Sequence, residues 1–209
     1  MIQIPKPVYI LSSATVVGQH EKKGPLGEYF DIIGDADDTF GCDTWEKSES
    51  EMQRLALSRA LNYAVKKDSD LEAILAGDLL NQCAGSCYGL VSFDAPFLGL
   101  FGACSTAAEA LLLSSLLCSS HMTRCAAVSS SHNASAERQF RFPLEYGGQR
   151  APTAQWTVTG SAAFVLSNDK KDFADTSYSG SPVPVISDVL IGKSIDAGIT
   201  DANNMGAAM

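Results

Sequence analysis

The chain has 209 residues, of which 45% are hydrophobic and 19% charged, and its formal net charge is -9 at pH 7. This composition predicts one sizeable folded core and excludes an intrinsically disordered chain. The acidic balance argues against nucleic-acid binding, which needs a concentrated basic surface, and against direct binding to an anionic membrane.

No basic segment followed by an apolar block opens the chain. The longest apolar stretch, residues 107–118, is interrupted by Glu109 and falls short of the about 20 residues that a membrane-spanning helix needs. We therefore expect a protein of the cytoplasm, or one held peripherally at a membrane by partner proteins.

The first half of the chain predicts a strand, a loop and a helix. Residues 8–17 are largely apolar, as in a strand that is covered on both faces. Residues 18–44 are rich in Gly, Asp and Lys and predict a long surface loop of the kind that lines binding sites. Residues 48–67 predict a helix against a sheet, because apolar side chains recur at three- and four-residue steps: Met52, Leu55, Ala56, Ala60, Leu61, Ala64 and Val65.

Further strands are predicted over residues 71–79, 124–131, 156–166 and 183–191, and a helix is predicted after Cys104. Strands therefore alternate with helices. The predicted fold class is α/β, with a mixed, mainly parallel sheet covered by helices.

Six cysteines lie in alanine-rich, apolar surroundings that are typical of a reduced core: Cys42, Cys83, Cys87, Cys104, Cys118 and Cys125. Cys83 and Cys87 are the only close pair. No second Cys or His pair follows at zinc-ligand spacing, so the sequence predicts packing roles, no metal site and no cofactor.

Cys104 has the most informative surroundings in the chain. Residues 102–106, Gly-Ala-Cys-Ser-Thr, join an apolar run at 97–101 to a helical run at 107–113. The sequence places Cys104 at the start of a buried helix, where unpaired N–H groups and the helix dipole favour a thiolate. The alternative interpretation is a small buried residue in a tightly packed turn.

A second group of polar residues, at 129–133, lies at the end of the predicted core strand 124–131. Ligands of α/β sheets bind at such strand ends. Arginines alternate there with aromatic residues: Arg138, Phe140, Arg141, Phe142, Tyr146 and Arg150. Guanidinium groups beside aromatic faces suit a planar carboxylate ligand. Alternatively, these arginines pair with Glu137 and Glu145 to brace a surface loop.

Other candidate residues have two interpretations as well. His132 is either a base or donor near Cys104 or a hydrogen-bonded structural residue. Residues 153–163, which include Gln155 and Thr157, are typical of either a pocket wall or a strand in a crowded sheet, where Gly160 allows close approach.

The turn at 102–106 resembles the nucleophile turn of the thiolase-like superfamily, which includes thiolases and ketoacyl synthases. Longer motifs at 130–132, 136–143, 145–147 and 152–160 resemble the stage V sporulation protein AD family of endospore-forming bacteria. This resemblance spans essentially the whole chain but corresponds to the N-terminal part of that family.

The resemblance implies a fold and a function. The expected fold is the N-terminal half of a thiolase-like fold over residues 1–192, followed by a truncated start of the second half at 193–209. The implied function is a noncatalytic subunit that binds dipicolinic acid, free or as its calcium salt. With other stage V sporulation membrane proteins it moves this ligand into the developing spore, and it is expected in the cytoplasm or peripherally at the spore inner membrane. The resemblance also associates the chain with spore germination.

The expected ligand contacts are Cys104, His132, Arg138, Arg141, Gln155 and Thr157. Catalysis is not implied, because the enzymes of the superfamily take the histidines that serve the cysteine from their second half. Two other functions stay open: an acyl-transferring condensing enzyme that uses Cys104, and a structural subunit that docks transporter components. A half-fold leaves a surface uncovered, so a homodimer is also expected.

Overall fold

The computed structural model describes residues 1–140, 157–193 and 195–199. Within them, seven strands form one sheet: β1 (Ile2–Val17), β2 (Ile32–Ile33), β3 (Ala73–Gly77), β4 (Phe97–Gly99), β5 (Arg124–Ser131), β6 (Gly160–Ser167) and β7 (Val185–Val189). The helices of this part of the chain are α1 (Gln19–Lys22), α2 (Trp45–Ala64), α3 (Ala84–Gly89), α4 (Thr106–Ser120), α5 (Asn133–Phe140) and α6 (Lys171–Ala174).

The sheet has the strand order β2-β1-β6-β5-β3-β4, and β7 pairs with β1. β1 is parallel to β2, and β5, β3 and β4 are parallel to one another. β6 lies antiparallel between β1 and β5, and β7 is antiparallel to β1. Five of the seven described strands therefore run in one direction, which confirms the predicted mixed, mainly parallel α/β sheet.

Helices cover both faces of the sheet, with α2 on one face and α4 on the other. Side chains of β5 alternate between the two layers, as strand geometry requires. Ala126 and Val128 belong to the core on the α2 side, whereas Cys125 and Ala127 belong to the core on the α4 side. The same alternation decides which polar groups at the end of β5 face each helix.

Helix α2 begins three residues earlier than the sequence predicted. Thr44 is its N-cap, and the Thr44 hydroxyl accepts a hydrogen bond of 3.2 Å from the Lys47 N–H. The helix ends at Ala64 because Val65 adopts a left-handed conformation with φ 53°. The predicted apolar face is confirmed for the buried Met52, Ala56, Ala60, Leu61 and Ala64. Leu55 is only half-buried, and Val65, which follows the last helical residue, is exposed.

Helix α4 is apolar on nearly all sides and packs against the sheet, with Ala110 and Cys118 fully buried. The stretch Ala103–Ser120 has the length and apolar character of a membrane span, although only 33% of it is buried. A core helix meets the same criterion, and this one packs against β1, β3 and β5.

Strand β1 is six residues longer at its start than the predicted strand at 8–17. The extension forms because β7 pairs with it, so that Ile2 lies opposite Val189 and Val8 opposite Ile186. The register is irregular between Gln3 and Val8, where two prolines remove backbone donors. β3, β6 and β7 are shorter than predicted. The sequence did not predict β4, α5 and α6, nor the short α1 and β2 within the segment 18–44 that was predicted as a loop.

Candidate functional site

Cys104 lies in a single 3-10 turn, Ala103–Ser105, that leads directly into α4. The N–H and the hydroxyl of Ser105 both donate to the Gly102 carbonyl, at 2.9 and 2.7 Å. Ala103 has a φ of +46°, a left-handed conformation that costs energy for a residue with a side chain. The prediction of a cysteine at a helix start is confirmed.

The Cys104 side chain is exposed, so the alternative of a small buried residue is wrong. The turn is held against the sheet by a close approach at Gly77, the last residue of β3. A Cβ atom at Gly77 would collide with the Leu100 carbonyl and would lie 2.7 Å from the Thr106 Cγ2. Only glycine therefore allows the chain that carries Cys104 to pack this close to β3.

A cleft with a volume of about 430 Å³ opens beside Cys104 at the carboxyl ends of β1 and β5. Its walls combine hydroxyl groups with apolar side chains, and none of its described lining residues is charged. The lining comprises Thr15, Val17, Phe30, Leu79, Ala103, Cys104, Thr106, Ala107, Ser129, Ser130, Ser131, Thr157, Val158, Gly160, Ser161 and Ala162. Its position agrees with the general location of ligand sites in α/β sheets.

Thr157 is brought to the cleft by helix α5. The Asn133 side-chain amide donates to the Thr157 carbonyl at 3.0 Å, and the Asn133 N–H donates to the Thr159 hydroxyl at 2.9 Å. The Thr157 hydroxyl in turn donates to the Glu137 carboxylate at 3.1 Å. Cys104 and Thr157, which are 53 residues apart, thus share one cleft.

His132 does not belong to the described lining of this cleft. The imidazole is buried, its Nδ1 accepts from the Ala134 N–H at 3.2 Å, and its Nε2–H donates to the Asp38 carbonyl at 3.0 Å. Its ring stacks on Trp45 at 6.5 Å between centroids. Burial lowers the pKa of His132, which favours the neutral ring. These contacts join the 35–40 loop to the start of α5.

The remaining predicted contacts fall in or after α5. Arg138 belongs to α5, which follows the cleft-lining end of β5. Arg141 and Gln155 lie outside the residues that the structure describes. Their part in a ligand site stays a prediction.

The sequence did not predict a buried polar network on the opposite, α2 side of β5. Glu49 is fully buried and accepts hydrogen bonds of 2.9 Å from the hydroxyls of Ser130 and Ser135. Gln53 donates to Ser130 and Ser86, at 2.7 and 2.9 Å. A signal was present, because Glu49 and Gln53 lie on the apolar face of α2.

The second carboxylate of this network is Asp78, which follows β3. It accepts from the Ser86 N–H and hydroxyl at 2.7 and 2.6 Å and from the Leu80 N–H at 2.8 Å. Burial, reinforced by the charge of Asp78, raises the pKa of Glu49 to about 7. The network therefore fixes the ends of β3 and β5, and the end of β5 lines the cleft.

A mixed sheet between helical layers, with an exposed cysteine at a helix start beside the strand ends, defines a thiolase-like fold. A variant of OleA from Xanthomonas campestris has this fold, with a TM-score of 0.53 and 10% identity over 80% of this chain and 57% of that chain. The priming β-ketosynthase of the R1128 polyketide pathway is similar, with a TM-score of 0.50 and 14% identity over 80% of this chain and 52% of that chain. At such identities the likeness shows the fold alone.

The family follows from the sequence comparison. The family model for stage V sporulation protein AD matches residues 1–209, and the chain belongs to that family. It is 41% identical over 206 residues to the stage V sporulation protein AD of Bacillus subtilis (strain 168). The matched region covers 97% of this chain and 57% of the relative. The chain therefore spans somewhat more than half the length of that relative.

Proposed function

We propose that this protein is a noncatalytic dipicolinate-binding subunit of a sporulation complex that moves dipicolinate into the developing spore. Other stage V sporulation membrane proteins are its proposed partners and would hold it at the spore inner membrane. The observation that carries the proposal is the open cleft beside Cys104, in a chain of the stage V sporulation protein AD family.

The chemistry of the cleft suits a small aromatic dicarboxylate. Its volume of about 430 Å³ lies within the range of small-molecule sites. Phe30 and Val158 offer apolar surface to a planar ring, and hydroxyls such as that of Ser129 can donate to a carboxylate. The first N–H groups of α4 add a partial positive charge, since no side chain caps this helix.

The charge of the ligand requires further donors, because the described lining holds no cation. In the proposal Arg138 and Arg141 supply them from α5 and the segment that follows it. A hydrogen bond between charged partners contributes about 1.5–3 kcal/mol, so two such contacts could provide most of the affinity.

Calorimetry with dipicolinate tests the proposal. The wild-type protein should show saturable binding, and Arg138→Ala combined with Arg141→Ala should raise the Kd by at least about 100-fold. Arg59→Ala, which changes an exposed arginine that lies over the Tyr63 ring, is the matched control and should bind like the wild type. Equal binding by the double variant would overturn the arginine assignment, and no binding by the wild type would overturn the function.

One observation favours a second candidate function, an acyl-transferring condensing enzyme. The exposed Cys104 follows a left-handed Ala103, so its thiol is presented at the cleft. A Cys104 thiolate would attack the carbonyl of an acyl thioester, form acyl-Cys104 and release the coenzyme A thiol. Mass spectrometry after incubation with acyl-coenzyme A separates the two functions. An adduct on Cys104 supports the enzyme, whereas dipicolinate binding that survives Cys104→Ala, without an adduct, supports the noncatalytic subunit.

A further inference from the structure

Three sulfur atoms meet in the core on the α4 side of the sheet, away from the cleft lining. Cys118 lies near the end of α4, Met122 in the turn that follows, and Cys125 in β5. The Cys125 Sγ lies 3.6 Å from the Met122 Sδ, and the Cys125 thiol also interacts with the Cys118 thiol. Both cysteines are fully buried and neither is in a disulfide.

The backbone around these sulfurs is fixed by other contacts. The Asn168 side-chain amide donates to the carbonyls of Cys118 and Met122, at 2.7 and 3.0 Å. The Met122 N–H donates to the Leu117 carbonyl at 2.9 Å and so closes the end of α4. The backbone of Cys118 and Met122 is thereby held in place, and Cys125 is fixed within β5, as a preorganised ligand set requires.

We propose that Cys118, Met122 and Cys125 form a binding site for a soft monovalent metal ion, copper(I), independent of the dipicolinate cleft. Two thiolates and one thioether are the donors that select copper(I) over magnesium or calcium. Metal–sulfur bonds of about 2.3 Å in a trigonal site separate the sulfurs by about 4 Å. The observed 3.6 Å between Cys125 and Met122 is within a few tenths of an ångström of that spacing.

The binding step is balanced by the release of two protons. Copper(I) keeps its oxidation state, forms bonds to two thiolates and the Met122 thioether, and displaces the proton of each thiol into solvent. The hydrogen bond with Cys118, together with burial, raises the pKa of Cys125. Glu72, whose charge also acts on Cys125, accepts a hydrogen bond from the Thr123 N–H at 2.6 Å.

The test uses a background variant in which the three exposed or partly exposed cysteines are replaced by serine: Cys42, Cys87 and Cys104. Copper(I) is added without oxygen, as its acetonitrile complex, in competition with the coloured chelator bicinchoninate. The background variant should retain one copper per chain, release two protons for each copper bound, and bind more tightly as the pH rises. X-ray absorption should show three sulfur neighbours at about 2.3 Å.

Three further substitutions in this background decide the outcome. Cys125→Ser should abolish retention, and Met122→Leu, which keeps the volume and fold, should weaken binding more than the roughly tenfold that loss of an outer-shell partner costs. Cys83→Ser is the control, because Cys83 is a buried thiol that donates instead to the Leu100 carbonyl at 2.9 Å. Thermal unfolding confirms that each variant is folded. The proposal is overturned if the background variant retains no copper, or if Met122→Leu and Cys125→Ser bind it as well as Cys83→Ser does.

Discussion

Glu49 and Ser130 are joined by a hydrogen bond of 2.9 Å, although 81 residues separate them in the chain. The bond connects the first turns of α2 to the end of β5, in a place with no solvent access to the Glu49 side chain. An ionised carboxylate is costly there, because burial and the nearby Asp78 charge both oppose it. This relationship makes the stability of the fold sensitive to pH.

The first prediction concerns that sensitivity. The pKa of Glu49 is raised from 4.5 to about 7, so between these values the folded protein keeps a proton that the unfolded chain has lost. The contribution of Glu49 to the free energy of unfolding is therefore largest below pH 4.5 and falls as the pH rises to about 7, by about 3 kcal/mol.

Glu49→Gln, which is neutral at every pH, should remove this dependence. Its melting temperature should exceed that of the wild type at pH 8, and the difference should shrink as the pH falls to about 5.5. Glu51→Gln, on a partly exposed face of the same helix, is the control and should show no such trend. A constant difference between Glu49→Gln and the wild type across this range would contradict the assignment.

The second prediction concerns Asp172, which joins α6 to the sheet. Burial disfavours its charge, but hydrogen bonds from Arg124, Ser167 and Lys66 outweigh that effect and lower the pKa of Asp172 to about 2. Arg124 binds it with two contacts, at 2.6 and 2.8 Å. This contribution to stability is present above pH 3.8 and is lost as the pH falls through about 2.

Asp172→Asn should lower the free energy of unfolding by about 3 kcal/mol at pH 7, because it leaves two cations with little solvent beside them. Urea unfolding measures this change. The control is Asp43→Asn, which breaks an exposed ion pair with Lys47 and should change nothing measurable. Equal effects of the two substitutions would show that the Asp172 cluster contributes no more to the free energy of unfolding than the exposed ion pair does.

The third prediction concerns the glycine that ends β3. Gly77→Ala places a methyl group against the Leu100 carbonyl and the Thr106 side chain and should destabilise the fold by about 1–3 kcal/mol. It should also displace the Cys104 turn and weaken any binding in the cleft. Gly192→Ala, where no atom lies within 4 Å of the added carbon, should melt like the wild type.

The fourth prediction concerns the reactivity of the six cysteines. Under native conditions iodoacetamide should modify the exposed Cys104 and Cys87 first, whereas the buried Cys118 and Cys125 should react only after unfolding. Peptide mass spectrometry at increasing times measures the order. Early modification of Cys125 would mean that the α4 side of the core opens readily.

The local sequence pattern predicted those elements that depend on their own residues rather than on distant partners. β5 has the predicted bounds, because a buried strand flanked by polar residues is visible in the sequence. Cys104 at the start of α4 was also predictable, since an apolar run, a small-residue turn and a helical run are adjacent there. The family resemblance, confirmed by the family model, then supplied the fold.

Long-range partners determine what the sequence could not predict. β4 has only three residues and exists because Phe97 and its neighbours pair with β3. The cleft brings Cys104 together with Thr157 through the strand order, which no local pattern encodes. Glu49 falls within the predicted helix at residues 48–67, but its buried role depends on Ser130 and Ser135 from distant segments.

The position of β1 in the sheet has a consequence for synthesis of the chain. Its longest ladder is with β6, where Val17 lies opposite Gly160, and its first residues pair with β7. At about 5–20 residues per second, a ribosome needs on the order of 10–30 s to make the intervening chain. During that time the nascent N-terminal strand has an open edge. Its folding should therefore be slow, because β1 reaches its full pairing only after β6 and β7 have emerged.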